Sequence, residues 1–348
     1  MIGAGFWQIM RGNLKNCWLA AILAVFASLA AVPARAEVTR TQTIQLQRGW
    51  NAIFLEVFPE VTAPDVVFSN APISIVAGHF PLRNAVEYVK DPSKINWKKE
   101  GWGVWYAPQR EDAFLSTLHS IDGNRAYLVY AESDFTWTVQ GHVLYERRVW
   151  KANSFNFAGF GVDEVSPPTF GKFFGGSRAH AQRRIYRLAN GRWEKVAAPD
   201  ATLMKSGEAC WVYCQGASDF QGPLSVTIPF GTGVTFGGSG SGRASIALAN
   251  NSTDPMSIRV DYNDGGVPLA YVIKSLSQDK IGELFVDLSP AYSMPVMEAG
   301  AQTSLLLQVR REKMSQNYQT SLVKISSDNG ARIWLPVAAQ REDLGTTP

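Results

Sequence analysis

Cysteine is nearly absent from this chain of 348 residues. Of three, Cys17 lies in an N-terminal apolar run, so only Cys210 and Cys214 can belong to a folded domain. On one straight strand their Cα atoms would stand about 13 Å apart at about 3.3 Å per residue, against a limit of about 7 Å for a disulfide. Pairing requires the strand to turn after Tyr213, where Gln215-Gly216 allows it, so free thiols and a local disulfide both stay open. Without a second cysteine pair, or a histidine pair at ligand spacing, no metal and no other cofactor is expected. The four histidines, His79, His119, His142 and His180, are scattered with no i+4 partner, and each reads as a surface or loop residue.

Other absences narrow the function. Gly238-Ser239-Gly240-Ser241-Gly242 lacks the Lys-Ser/Thr ending of a phosphate loop, and neither serine has glycines two positions away on both sides, as a nucleophile elbow needs. The acidic pairs Glu111-Asp112 and Asp163-Glu164 are adjacent, and neighbours on a strand point to opposite faces. The expectation is therefore a protein that is not an enzyme. Excess charge is missing too. Residues 1–36 hold Arg11, Lys15 and Arg35 but no acidic residue, so the remainder carries 30 basic and 30 acidic residues. A neutral chain has no general pull toward nucleic acid or anionic lipid.

Residues 1–36 read as a secretory signal: a basic start, an apolar Cys17 to Val32 interrupted by Ser28, and the cleavage pattern Ala34-Arg35-Ala36. The run is shorter than the roughly 18 residues of a membrane span, and no later segment would span. A periplasmic or extracellular location follows.

What is present is β-rich and repeated. Ala126-Tyr127-Leu128-Val129-Tyr130 followed by Ser133-Asp134-Phe135 recurs as Ala209-Cys210-Trp211-Val212-Tyr213 followed by Ser218-Asp219-Phe220. The openings match as well, Asn51 with Asn156, Leu55 with Phe160 and Val57 with Val162. A short apolar segment follows each opening, Pro64 to Phe68 and Pro168 to Phe174, with the reach of a helical turn. Aromatic strands fill the middles, Trp102 to Tyr106 and Ile185 to Trp193. Alternation of apolar and polar residues, dense turn residues and missing amphipathic helices predict an all-β fold. Its predicted organisation is a signal (1–36), a first β module (37–144), a related second module (145–232), both sandwich-like, a Gly/Ser linker (233–242), an immunoglobulin-like β-sandwich (243–340) and a flexible tail (341–348). In the third module, strands are predicted over Ser245–Ala249, Ser257–Tyr262, Leu284–Leu288, Ser304–Val309, Ser321–Ser326 and Arg332–Val337. Asp328-Asn329-Gly330 predicts a tight hairpin.

Asn250-Asn251-Ser252 with Ile258-Arg259-Val260, and Tyr318 through Leu335-Pro336-Val337, resemble strands of bacterial immunoglobulin-like surface modules. The Trp50-Asn51 opening and the closing Tyr/Trp-Val strand resemble repeats of exported, largely uncharacterised bacterial proteins. The resemblance implies cell-surface or secreted architecture and carries no active-site residue.

Two binding features stand out. Exposed aromatics stack on sugar rings, which makes Trp97, Trp102, Trp105, Tyr106 and Trp193 candidate carbohydrate contacts, whereas Trp50, Trp211 and Trp334 belong to strand cores. Arg178, His180, Arg183, Arg184, Arg187 and Arg192 form a basic cluster suited to an acidic polysaccharide or protein, or to a charged strand edge. The reading that unites these features is an exported structural or adhesive protein with an envelope or secreted protein partner. A carbohydrate-binding protein is the nearest alternative and a secreted hydrolase a distant one.

Overall fold

In this computed structural model the described residues are 38–80, 101–237, 242–262, 265–277 and 280–341. The residues read as a signal, Trp97, residues 238–241 of the expected linker and the tail from residue 342 lie outside them. The first module supplies β1 (Thr39–Leu46), β2 (Gly49–Leu55), β3 (Phe58–Pro59), β4 (Ile73–His79), β5 (Trp102–Tyr106), β6 (Arg125–Ala131) and β7 (Phe135–His142). The second supplies β8 (Ser154–Gly159), β9 (Ile185–Ala189), β10 (Arg192–Lys195) and β11 (Ala209–Cys214). The expected helical turns are α1 (Pro64–Val67) and α2 (Phe170–Phe174), the latter capped by the Thr169 hydroxyl accepting from the Lys172 amide.

The sequence echo is a structural one. The first module contains a sheet of order β2-β6-β4-β5 and the second a sheet of order β8-β11-β9-β10, so opening, closing and middle strands occupy equivalent places. Register agrees: Asn51 lies opposite Val129, and Asn156 opposite Val212. The shared asparagine also has a shared task. Asn51 accepts from the Gln47 amide and donates to the carbonyls of Gln47 and Gly49. Asn156 does the same with Lys151 and Ser154. Each asparagine clips the turn that leads into its opening strand, a local bonding pattern short polar side chains favour.

These two sheets pack on each other. Ala52, Phe54, Ala77, Val104, Tyr106 and Leu128 of the first form one core with Phe155, Trp193, Ala209 and Trp211 of the second. Alternate residues of the closing strands turn the other way. Tyr127, Val129 and Ala131 enter a core beneath the sheet β1-β7-β3, while Cys210, Val212 and Cys214 enter one filled by α2, Trp150 and Phe220. Both faces of each closing strand are covered, which is why those strands are nearly continuously apolar. Cys210 and Cys214 sit on one unbroken strand as free, buried thiols.

The third module is the expected immunoglobulin-like sandwich, built from β12 (Leu224–Thr227), β13 (Val234–Phe236), β14 (Arg243–Asn250), β15 (Ile258–Tyr262), β16 (Leu269–Ser277), β17 (Lys280–Asp287), β18 (Ala291–Ser293), β19 (Gln302–Val309), β20 (Tyr318–Ser327) and β21 (Arg332–Gln340). The sheets run β12-β14-β19-β16-β17 and β13-β21-β20-β15-β18. Two boundaries are corrected. Leu224–Thr227, read as the end of the second module, pairs antiparallel with β14, and Val234–Phe236, read as linker, pairs parallel with β21. Leu224, Val226, Val234 and Phe236 are buried in the third core, and that burial explains the capture.

The hairpin at Asp328-Asn329-Gly330 forms, with Gly330 at φ +82° and its amide bonded to the Ser327 carbonyl. Its tip docks on the second module: the Asp163 amide donates to the Gly330 carbonyl and the Arg332 amide to that of Gly161. Arg332 reaches on from there. Its guanidinium, 5% exposed, bonds Glu56 of the first module at 2.8 Å and Glu164 of the second at 3.0 Å. Arg40 bonds the other oxygen of Glu56 at 2.6 Å.

Removing one partner of a buried pair strands the other charge. Arg332→Ala is expected to lower unfolding free energy by about 3–5 kcal/mol. The exposed Arg192→Ala should stay within roughly 0.5 kcal/mol of the parent; urea denaturation of the purified protein checks both.

Candidate functional site

A largely polar groove of about 440 Å³ lies between the second module and the third. Its floor is the outer face of the sheet containing β12, β14 and β19. Ser225 lies opposite Ala249 and Thr227 opposite Ala247, and Ala249 in turn opposite Gln302. With a strand period of two, Leu224, Val226, Ile246 and Leu248 point into the sandwich while these small residues face outward. Small side chains leave the space.

The wall comes from residues 176–179 and 217–220 of the second module. It approaches so closely at Gly176 that a Cβ there would stand 1.6 Å from the Asn251 carbonyl oxygen, so this contact requires glycine. Asn251 ties the two sides further, with its amide donating to the carbonyl of Pro223 and its side chain to that of Gly222. Two cations overlook the groove. Arg147 donates to the Thr227 hydroxyl at 2.7 Å. The Arg178 side chain is exposed and has no hydrogen-bond or ion-pair partner among the described residues. Asp219, also exposed, supplies the opposite sign.

Most sequence-predicted site residues are elsewhere, and burial is the reason. Trp105, Tyr106 and Trp193 are 5%, 7% and 3% exposed, too covered to stack on a sugar ring. The Trp105 indole donates to Asp65 at 2.6 Å beneath β5. Trp102 is half-buried between the two sheets, with its ring against His79, Phe157 and Trp211. Trp97 lies outside the described residues.

The basic cluster is likewise dispersed. Arg183 pairs with Asp200 and Arg187 grips Glu208 through two nitrogens, while Arg184 lies over the rings of Phe155 and Tyr213. Arg192 is exposed on the β9–β10 hairpin. Only Arg178 of the six reaches the groove. Arg147, which joins it there, escaped sequence reasoning because it sits outside the run 178–192.

His180 is not a surface residue. It is 2% exposed, and Trp150 lies with its ring centroid 4.2 Å away, with Phe174 and Phe220 beyond. His79 is half-buried, with the rings of Trp102 and Trp211 against it. The Ser177 hydroxyl and His180 Nδ1 are 2.7 Å apart, the pairing a nucleophilic serine would use. Among the described residues Nε2 has no hydrogen-bond partner; it faces aromatic rings, and no carboxylate there orients the imidazole. Burial, aided by the Arg148 charge, pulls its pKa down to about 4, far from the value a base needs at neutral pH. Ser177 precedes a single 3₁₀ turn, Arg178–His180, and the contact closes that turn. Among the described residues no group of three or more His, Cys, Asp or Glu side chains is placed to hold a metal ion, and no helix is long and apolar enough to cross a membrane.

No family model and no curated protein sequence matches the chain. Solved structures give partial likenesses. The PapD-like domain 7 of human CEP192 is 11% identical, with 35% of this chain and 87% of that one covered at a TM-score of 0.24. The periplasmic chaperone SfaE is 13% identical over 36% of this chain and 59% of its own, at 0.21. The full-length major pilin SpaD of Corynebacterium diphtheriae is 8% identical over 84% of this chain and 66% of its own, at 0.20. The chain thus spans under two thirds of the length of that chaperone and that pilin. Similarity at these TM-scores is too low to carry an activity from one protein to another.

The histidine burial has a pH signature. The unfolded chain protonates His180 near 6.5, the folded protein only near 4, so stability is full above pH 6.5 and falls as pH drops from 6.5 toward 4. His79, also pulled down to about 4 by burial, acts in the same direction. Replacing His180 with Phe should remove on the order of 2–3 kcal/mol of that acid sensitivity, read as the pH dependence of the urea midpoint.

Proposed function

We propose that this is an exported, non-catalytic binding protein of the cell envelope or of secreted assemblies, with a structural or adhesive role, and that it holds a protein partner in the groove between its second and third modules. The observation that carries this reading is the uncommitted Arg178 beside Arg147 and Asp219 over a floor of small residues. Such a site offers charge complementarity and hydrogen bonding without a large aromatic platform. The locking of three modules around Arg332 supports it, because a groove between rigid bodies keeps its width. The signal read in residues 1–36 supports export. Stacking of sugars on Trp105, Tyr106 or Trp193 loses its support through their burial.

The test is affinity capture from envelope extracts after mild cross-linking, with three forms of the mature protein. The parent and an Arg192→Glu control should retain the same partner, and the Arg147→Glu/Arg178→Glu pair should lose it. Equal capture by all three forms would sink the groove assignment. Binding to acidic glycans on an array, abolished by the same pair, would replace the protein partner with a polysaccharide. Turnover of ester, glycoside or peptide substrates that survives repeated purification would overturn the non-catalytic reading.

A further inference from the structure

A second concavity lies where the three modules meet, and its chemistry is different. This cavity of about 130 Å³ is bordered by Arg40 of the first module, Arg148 at the start of the second and Arg332 of the third. One carboxylate stands inside it: Glu56, 8% exposed, which already serves Arg40 and Arg332. Glu164, the other partner of Arg332, is 64% exposed, and Glu146 at the rim is exposed as well. Three guanidinium groups therefore border a space that holds a single buried counter-charge, and two of them, Arg40 and Arg332, pair with it.

Arg148 is the group left over. Its Nη2 donates to the Gly159 carbonyl, and no carboxylate contacts it among the described residues. Its guanidinium lies over Phe54, Phe160 and Trp150, with ring centroids 5.9, 4.7 and 5.7 Å away. Ring faces compensate part of the lost hydration of a cation. They do not engage the in-plane N–H donors, which are shaped for the two oxygens of a carboxylate. Burial draws the Arg148 pKa down to about 10, the response of a cation short of counter-charge.

The rest of the lining is mixed, with Asn124, Tyr145 and Gln221 on the polar side and an apolar stretch beside them. Val143, Phe160, Phe173 and Leu224 border the same space. An inorganic oxyanion would leave those walls unused, while a neutral apolar molecule would leave the guanidinium unpaired. A cavity of roughly 150 Å³ lined by such residues holds a benzene ring, so the space suits a short or single-ring tail. We propose that the junction cavity binds a small organic monocarboxylate, its head paired with Arg148 and its tail against Phe160, Phe173 and Leu224. Because elements of all three modules border the cavity, such a ligand favours the assembled state over separated modules. This site is independent of the groove and of any partner held there.

Benzoate is the probe, with benzamide as its neutral isostere and sodium sulfate at matched ionic strength as the oxyanion control, on the full mature chain. Calorimetric titration should give saturable one-to-one binding of benzoate, and thermal unfolding should show Tm raised by a few degrees at saturation. Benzamide and sulfate should do neither. Arg148→Met should weaken benzoate binding by roughly tenfold or more, the scale of a lost charge-assisted pair. The ligand-free Tm of Arg148→Met should hold or rise, because a half-buried charge without a counter-ion is gone. Arg147→Glu/Arg178→Glu should bind benzoate like the parent, which separates this site from the groove. Equal responses to benzoate and benzamide, or unchanged affinity in Arg148→Met, would overturn the proposal. Should Arg148→Met fail to fold, crystals of the parent with 4-bromobenzoate decide: anomalous bromine density inside the cavity supports the site, and density elsewhere or nowhere refutes it.

Discussion

The contact between Arg332 and Glu56 is the constraint on which the rest of the architecture depends. The two residues are 276 positions apart, and the pair is anchored on both sides, by Arg40 on Glu56 and by Glu164 and Ser206 on Arg332. A buried ion pair adds little net stability, since desolvation offsets much of the Coulomb attraction. Its effect is selective: a docking angle that missed the pair would bury a lone charge. Apolar surfaces tolerate sliding, and this pair does not. It therefore sets where the tip of the β20–β21 hairpin sits on the other two modules.

Around that point the chain uses its duplication economically. Each repeat sheet has two apolar faces, and a single sheet with two such faces cannot rest against water on either. The duplicated sheets solve this by covering one face of each other, with Trp211, Phe54 and Leu128 in the seam. The outer faces are then closed differently, by a second sheet in the first module and by α2 with its neighbouring loops in the second. Duplication in sequence thus became mutual burial in space, and the aromatic residues that looked like sugar platforms are mostly its filling.

Functional surfaces arise at the seams. The groove exists because the second module leans on an outward sheet face of small residues, and the cavity exists because three modules meet without closing completely. Arg147 and Arg148 are neighbours in sequence yet border different concavities, one mainly polar, the other charged and partly apolar. Neither role has a local signature. A basic run such as 178–192 looks like one patch on paper, but Asp200 and Glu208 neutralise two of its members and aromatic rings occupy a third.

By itself the amino-acid sequence determined the strand-rich class, the repeat and its register, the paired helical turns, the hairpin at Gly330 and the six strands expected of the third module. All of these rest on alternation, turn chemistry and short-range bonding, which act within a few residues. Strands β12 and β13 were misassigned because pairing partners more than a hundred residues away in the case of β13, and across a linker in that of β12, claimed them. Only the tertiary structure decided which tryptophans are covered, which arginines keep a free charge and where His180 lies. Burial and counter-charge depend on what packs against a residue's second face, and that neighbour comes from elsewhere in the chain.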